Sequence, residues 1–203
     1  MQIARLTIKR LRTALTDLRY GAILKGNVAS KYSHLGATGT ENSDYIVLEE
    51  LFLNQIRPAD ILVDVGCGKG RVLNWWLDQY PDNQIYGIEL DPLIAEATRL
   101  RLRRFKNVTI LNGDACSLIP HEGSLFYLFN PFDGTVMQRF IAAILRNPRA
   151  ANGVLRRIIY HNCVHLGLFE NDPQAFFIKQ IETRSSLGSA LIDCTDIGRQ
   201  NSS

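Results

Sequence analysis

The chain has 203 residues, of which 46% are hydrophobic and 21% charged, and its formal net charge is +3. That length carries one domain with a full core, and the composition excludes collagen-like, low-complexity and wholly disordered chains. The charge is unevenly placed: residues 1–40 hold seven basic groups (Arg5, Lys9, Arg10, Arg12, Arg19, Lys25, Lys31) against one acid, Asp17, and the rest of the chain is slightly acidic.

At the N-terminus Ala4, Ile8, Leu11, Leu15 and Leu18 recur at helical spacing, with Arg5, Arg12 and Arg19 beside the stripe. This predicts a helix over about Ile3–Tyr20 that packs its apolar stripe on the core or, as the alternative, guides an anionic substrate or surface to the site. A loop rich in small polar residues follows (Gly36, Gly39, Asn42, Ser43), and Asn42 or Ser43 can cap a second helix to about Ile56, which Pro58 ends.

From residue 60 strands and helices alternate. Ile61–Val65 is a short apolar run closed by glycines, as a buried parallel strand is. Arg71–Tyr80 fits a helix, Ile85–Leu90 a second strand, and Pro92 opens a helix reaching Phe105. Val108–Leu111 and Leu125–Phe129 read as strands, Val136–Leu145 as a helix and Leu155–Tyr160 as a fifth strand. Ala175–Ile181 and Ala190–Cys194 complete the strands around a turn at Ser185–Ser189. Successive β-α units imply an α/β fold, a doubly wound, mostly parallel sheet with helices on both faces. The expected division is a basic helical extension over residues 1–58 and a core over 59–203.

The four cysteines (Cys67, Cys116, Cys163, Cys194) form no CxxC pair, so a disulfide framework or zinc ribbon is not expected and a reducing compartment is. No apolar run approaches the roughly 18 residues a bilayer span needs. The N-terminus lacks the apolar core of a secretory signal, and its Arg-rich, acid-poor character also suits an organelle transit peptide. A cytoplasmic location is the expectation.

Four clusters lie at strand carboxyl ends, where ligands of such sheets bind. The first is Asp64-Val65-Gly66-Cys67-Gly68-Lys69-Gly70, whose glycines let the backbone turn and approach a ligand that a Cβ would exclude. The usual dinucleotide fingerprint needs a glycine where Arg71 stands, which disfavours a nicotinamide or flavin site. Glu89 ends the second strand, where an acid can take both hydroxyls of a ribose. Asn112-Gly113-Asp114-Ala115 follows the third strand, and Asn130-Pro131-Phe132 the fourth.

The acid-x-Gly-x-Gly-x-Gly pattern, with the other three clusters in order over about residues 40–195, resembles class I S-adenosylmethionine-dependent methyltransferases of the seven-stranded, Rossmann-like type, including bacterial methyltransferase-like proteins. The resemblance implies S-adenosyl-L-methionine as cofactor, held by Asp64, Gly66, Cys67, Gly68, Gly70, Glu89, Asp114, Ala115 and Asn130. It implies that Asp114 accepts from the adenine amino group and that the Ala115 N–H meets a ring nitrogen. Asn130, Pro131 and Phe132 are similar to the (Asn/Asp)-Pro-Pro-(Tyr/Phe) motif of amino-group methyltransferases, with one proline where that motif has two. That motif implies catalytic positioning: the Asn oxygen and a proline carbonyl accept from the target nitrogen, and the ring packs on the substrate. The expected acceptor is an amino nitrogen of a protein or small molecule, with RNA, or a non-catalytic cofactor-binding or adaptor role, as the alternatives. Residues 36–40 and the N-terminal helices would cover the cofactor.

Two further features stand apart. His161, Cys163 and His165 alternate after the fifth strand; on an extended chain they share a face, which a metal or a general base would use, or they are plain strand-end polar residues. No metal is expected. Arg99, Arg101, Arg103, Arg104 and Lys106 crowd one helix end, as a solvated face or a phosphate contact.

Overall fold

The computed structural model describes residues 2–24, 31–37, 39 and 43–196, with side chains from Leu11 onward. Seven strands form one sheet: β1 (Leu62–Val65), β2 (Ile85–Glu89), β3 (Val108–Asn112), β4 (Leu125–Phe129), β5 (Arg157–His161), β6 (Phe176–Gln180) and β7 (Ser189–Cys194), in the spatial order β3-β2-β1-β4-β5-β7-β6. The first five run parallel, and β7 lies antiparallel between β5 and β6. The helices are α1 (Gln2–Arg19), α2 (Tyr45–Leu51), α3 (Arg71–Gln79), α4 (Pro92–Leu102), α5 (Gly134–Arg146) and the single turn α6 (Gly167–Glu170). The order reverses between β1 and β4, so the carboxyl ends of those strands open a crevice at the switch point.

Alternation along the strands divides the core in two. Phe126 and Leu128 of β4 face one side with Val63, Ile158 and Tyr160, under Met137, Phe140 and Ile144 of α5. Leu125 and Tyr127 face the other with Leu62 and Ile159, under Leu48 and Leu51 of α2 and Trp76 of α3. At the opposite edge from the crevice, Asp60 accepts from Arg157 at 2.6 Å and from Ser124 Oγ at 2.9 Å. With both ions of that pair buried, removing one partner would strand the other charge in the interior.

The structure corrects several sequence expectations. From Leu11 onward the stripe of α1 does not pack on the core: Leu11, Leu15 and Leu18 are 59%, 57% and 54% exposed, and the opposite face is buried through Asp17 and Tyr20, while the side chains of Ala4 and Ile8 lie outside the described residues. Asp17 explains the inversion, because its carboxylate accepts from Arg71 (2.9 Å), Tyr45 Oη (2.7 Å) and Leu24 N (3.0 Å). Helix α2 stops at Leu51 rather than Ile56, because Phe52 leaves helical geometry to stack on Trp75 at 5.2 Å. Its cap is Asp44, which accepts from Ile46 N at 3.2 Å. Ser43 instead bonds Tyr127 Oη at 3.0 Å, and Asn42 lies outside the described residues. Most other boundaries shift by one to three residues at their ends.

Candidate active site

A cavity of about 450 Å³ fills the crevice at the switch point. Its floor is the β1–α3 loop and the ends of β2 and β4, and its far wall is the start of α5. Gly66 enters it at φ 78°, with its N–H donating to the Ile88 carbonyl at 2.8 Å. A Cβ there would sit 3.1 Å from Pro131 Cβ, so the glycine loop and the Asn-Pro-Phe segment meet at this point. Gly70, at φ 75°, serves packing instead: a Cβ would meet Arg101 Nη2 at 2.9 Å and Thr98 Cγ2 at 3.0 Å. Thr98 Oγ1 also donates to the Gly68 carbonyl at 3.0 Å, so α4 clamps the loop.

Two carboxyls lie under and beside that loop. Glu89 faces the cavity while Oε2 accepts from Gly68 N and Oε1 from Asp91 N, both at 2.8 Å. Burial raises its pKa. Asp64 is buried, and its Oδ2 has no hydrogen-bond partner among the described residues. Its pKa is pushed well above the usual carboxylate range, first by burial and then by the charge of Glu89. Both acids therefore hold their protons more tightly than exposed carboxyls do, and a cationic ligand beside them would favour their ionised forms.

Asp114 also lines the cavity, with Gly113 and Ala115 beside it. Its Oδ1 accepts from Cys116 N at 3.0 Å and its Oδ2 from Arg139 at 2.7 Å. Burial alone would raise the carboxyl's pKa; the Cys116 N–H and the Arg139 guanidinium outweigh it, and the result is a lowered value. Asn112 ties the ends of β3 and β2 together through the Glu89 and Leu90 carbonyls, at 2.9 and 3.1 Å.

Asn130 ends β4 at φ 41°, a left-handed conformation that Asn tolerates better than most residues. Its neighbours Phe129 and Pro131 line the cavity, whereas its own side chain turns toward β5, where Oδ1 accepts from Tyr160 Oη at 3.3 Å. Phe132 also lines the cavity, with its ring packed on Phe140 at 5.7 Å. The sequence-predicted set is thus brought to one crevice in two layers. Gly66, Glu89, Asp114, Ala115, Pro131 and Phe132 line it, and Asp64, Cys67, Gly68, Gly70 and Asn130 shape it from behind.

Sequence reasoning missed Asp133, Thr135 and Arg139 of the far wall, and Asp91 and Ile94 at the start of α4. Asp133 carried a visible signal, since it caps α5 by accepting from Val136 N at 2.9 Å. Arg139 follows Thr135 at helical spacing, but nothing local says which face of α5 turns inward. Lys31, Tyr32, His34, Leu35, Gly36, Ala37 and Gly39 close the cavity from the N-terminal side. Asp133 N donates to the Gly36 carbonyl at 2.8 Å, and Ala37 pairs with Phe132 in an isolated β-bridge. Residues 38 and 40 of the loop expected to cover the cofactor lie outside the described residues.

The alternating His-Cys-His set does not share a face. Asn162, at φ 51°, turns the chain, so His161 is buried against Phe129 at 4.7 Å and bonds Ser189 Oγ at 2.8 Å, while His165 leads away toward Gly134. Burial lowers the His161 pKa to about 4. Among the described residues no group of three or more His, Cys, Asp or Glu side chains is arranged to hold a metal. The arginine cluster also divides. Arg101 is half-buried and donates to the carbonyls of Tyr20 and Lys69, both at 2.7 Å, whereas Arg103, Arg104 and Lys106 are exposed.

The fold is a doubly wound sheet with its cavity at the switch point, where sheets of this kind bind ligands. The family model described as a methyltransferase domain matches residues 63–165, just over half of the sequence, and the chain belongs to that family. The fold resembles that of the precorrin-6y C5,15-methyltransferase from Geobacter metallireducens, at 14% identity and TM-score 0.56, over 83% of this chain and 92% of that one. It also resembles the pyocyanin biosynthetic protein PhzM, at 12% identity and TM-score 0.57, over 74% of this chain. A third likeness is a mutant of MtNAS in complex with S-adenosylmethionine, at 17% identity and TM-score 0.54, over 73% of this chain. The chain spans 55% of the length of PhzM and 60% of that of MtNAS. Among the described residues no helix is long and apolar enough to cross a membrane.

Proposed function

We propose that this methyltransferase transfers its methyl group to an amino nitrogen of a protein or small molecule, presented at Asn130–Phe132. The observation that carries the reading is the end of β4, where Asn130 leaves the strand in a left-handed turn and delivers Pro131 and Phe132 to the cavity lining. Bound S-adenosylmethionine supplies an electrophilic methyl on a sulfonium. This chain's residues bind, orient and exclude water. In this reading Glu89 takes the ribose hydroxyls and Asp114 with Ala115 the adenine, while Asp64 and Glu89 ionise beside the cofactor's cationic groups. The Pro131 carbonyl is a hydrogen-bond acceptor for the N–H groups of a neutral amine, and the Asn130 amide joins it by exchanging its bond to Tyr160 for one to the substrate, which aims the lone pair along the line of displacement. No proton needs to leave before attack, so the step asks for positioning rather than for a nucleophile–base pair.

Residues 1–58 form the extension and 59–203 the core in this reading, with residues 31–37 and 39 as the lid. The bridge from Ala37 to Phe132 supports it, because the lid is fastened to the segment that presents the acceptor. The RNA alternative draws less support, since Arg101 of its basic cluster is spent on bracing the glycine loop to α1.

The test is a transfer assay with methyl-labelled cofactor across protein, RNA and small-molecule fractions, the product being located by mass spectrometry. The expected product is an N-methyl amine. In Asn130→Ala we expect cofactor affinity within about threefold of wild type and turnover at least about 100-fold lower, the order lost when a positioning contact goes. A methylated oxygen or carbon, or unchanged turnover in the variant, refutes the assignment.

A further inference from the structure

The inverted packing of α1 leaves a face that no other described residue covers, and its chemistry is specific. Leu11, Leu15 and Leu18 follow one another at intervals of four and three, so they form a single stripe along the helix, and each is more than half exposed. Arg12 and Arg19 are seven residues apart, hence on one flank of that stripe, and both are exposed. The only acid in the helix, Asp17, is fully buried on the opposite side and paired with Arg71, so the outward face carries no carboxylate of its own.

The basic flank continues onto the neighbouring helix end. Arg104 Nη2 donates to the Arg19 carbonyl at 2.5 Å, which places exposed Arg103, Arg104 and Lys106 beside the C-terminal end of α1. Asp78, which pairs with Arg19 at 2.5 Å, is the acid at this edge.

We propose that this face docks on an anionic lipid surface, with α1 lying in the plane of the interface. Leucines on one face and cations along its flank are what an interfacial helix needs: the apolar side chains enter the headgroup–acyl boundary and the cations meet lipid phosphates. Charge selects this occupant over a second copy of the chain, since two such faces would bring arginine flanks together. The leucines select it over nucleic acid, which offers cations a phosphate backbone but gives a leucine stripe nothing comparable to enter. The proposal is independent of which atom is methylated.

The test is co-sedimentation of the full chain with phosphatidylcholine vesicles and with vesicles in which about a third of the lipid is phosphatidylglycerol. Binding to the anionic vesicles is expected, at least about tenfold tighter than to the neutral ones, and weakened as salt rises to about 0.5 M. The variant Leu11→Ser/Leu15→Ser/Leu18→Ser should bind the anionic vesicles at least about tenfold more weakly, with its thermal midpoint lowered by no more than a few degrees because these side chains are more than half exposed. Arg12→Gln/Arg103→Gln should remove most of the preference for anionic lipid. Absence of binding to anionic vesicles, or binding that the leucine variant retains, overturns the proposal. So does a concentration-dependent dimer, or retention of single-stranded RNA, that the variants abolish while vesicles remain unbound.

Discussion

Gly66 is where the glycine loop meets the Asn-Pro-Phe segment, and Gly66→Ala asks how much that contact matters. Two costs arise. The φ of 78° is left-handed, which costs an L-residue roughly 1–2 kcal/mol. The new methyl also lies 3.1 Å from Pro131 Cβ, a ring carbon that cannot rotate away, and relieving such an overlap costs roughly 1–3 kcal/mol. Gly153 supplies the control, with φ 83° and nothing within 4 Å of an added Cβ, so Gly153→Ala carries the backbone cost alone. The gain from a stiffer unfolded chain is common to both and cancels in the comparison. Urea unfolding should therefore place Gly66→Ala about 1–3 kcal/mol below Gly153→Ala in stability. Cofactor titration should show at least about tenfold weaker binding in Gly66→Ala and unchanged binding in Gly153→Ala, because only Gly66 lines the cavity. Equal stability losses, or unimpaired cofactor binding in Gly66→Ala, would refute the packing argument.

Cofactor binding should release protons. Burial raises the Asp64 and Glu89 carboxyls above their ordinary values, so both hold protons more tightly in the free protein than an exposed acid does. A cation bound beside them favours the ionised forms, so the complex holds fewer protons and affinity climbs with pH, by up to about tenfold per pH unit for one coupled proton. Calorimetric titration in buffers of different ionisation enthalpy measures the release; proton uptake, or affinity that falls with pH across the raised range, would count against it. Gly36→Ala should unseat the lid, since the added Cβ would sit 2.6 Å from Val136 Cγ2 at a residue whose φ is 80°. We expect weaker cofactor retention, read as a faster dissociation rate, with the thermal midpoint within a few degrees of wild type; an unchanged rate would remove residues 31–37 from that role.

Much of the core was legible because its signals are local. The β-α alternation from residue 60, Pro92 in the first turn of α4, and the glycine loop each follow from short-range chemistry, and each lies within a few residues of its expected place. Glu89 was legible for the same reason, standing at a strand end. What failed depends on which surface meets which. The periodicity of α1 shows an apolar stripe, yet a single buried acid decides the packing: Asp17 needs Arg71 and Tyr45, which lie far along the chain, and the helix turns toward them. Arg101 likewise reads as one of five surface cations until α4 is laid against the loop and its guanidinium finds the Lys69 and Tyr20 carbonyls. The His161–His165 alternation presumes an extended chain, and one left-handed Asn at position 162 removes it. Asn130 belongs to both groups: its place at the end of β4 was readable, and its side-chain bond to Tyr160 was not.

The central claim is that the crevice between the ends of β1 and β4 holds S-adenosylmethionine through the glycine loop and Glu89. Calorimetric titration of the full chain with S-adenosylmethionine, and separately with NAD, tests it most directly. We expect one saturable site for S-adenosylmethionine, weakened at least about tenfold in Glu89→Ala by loss of a charged acceptor, and no saturable heat with NAD. Absence of a saturable S-adenosylmethionine site, or equal affinity in Glu89→Ala, would contradict the account.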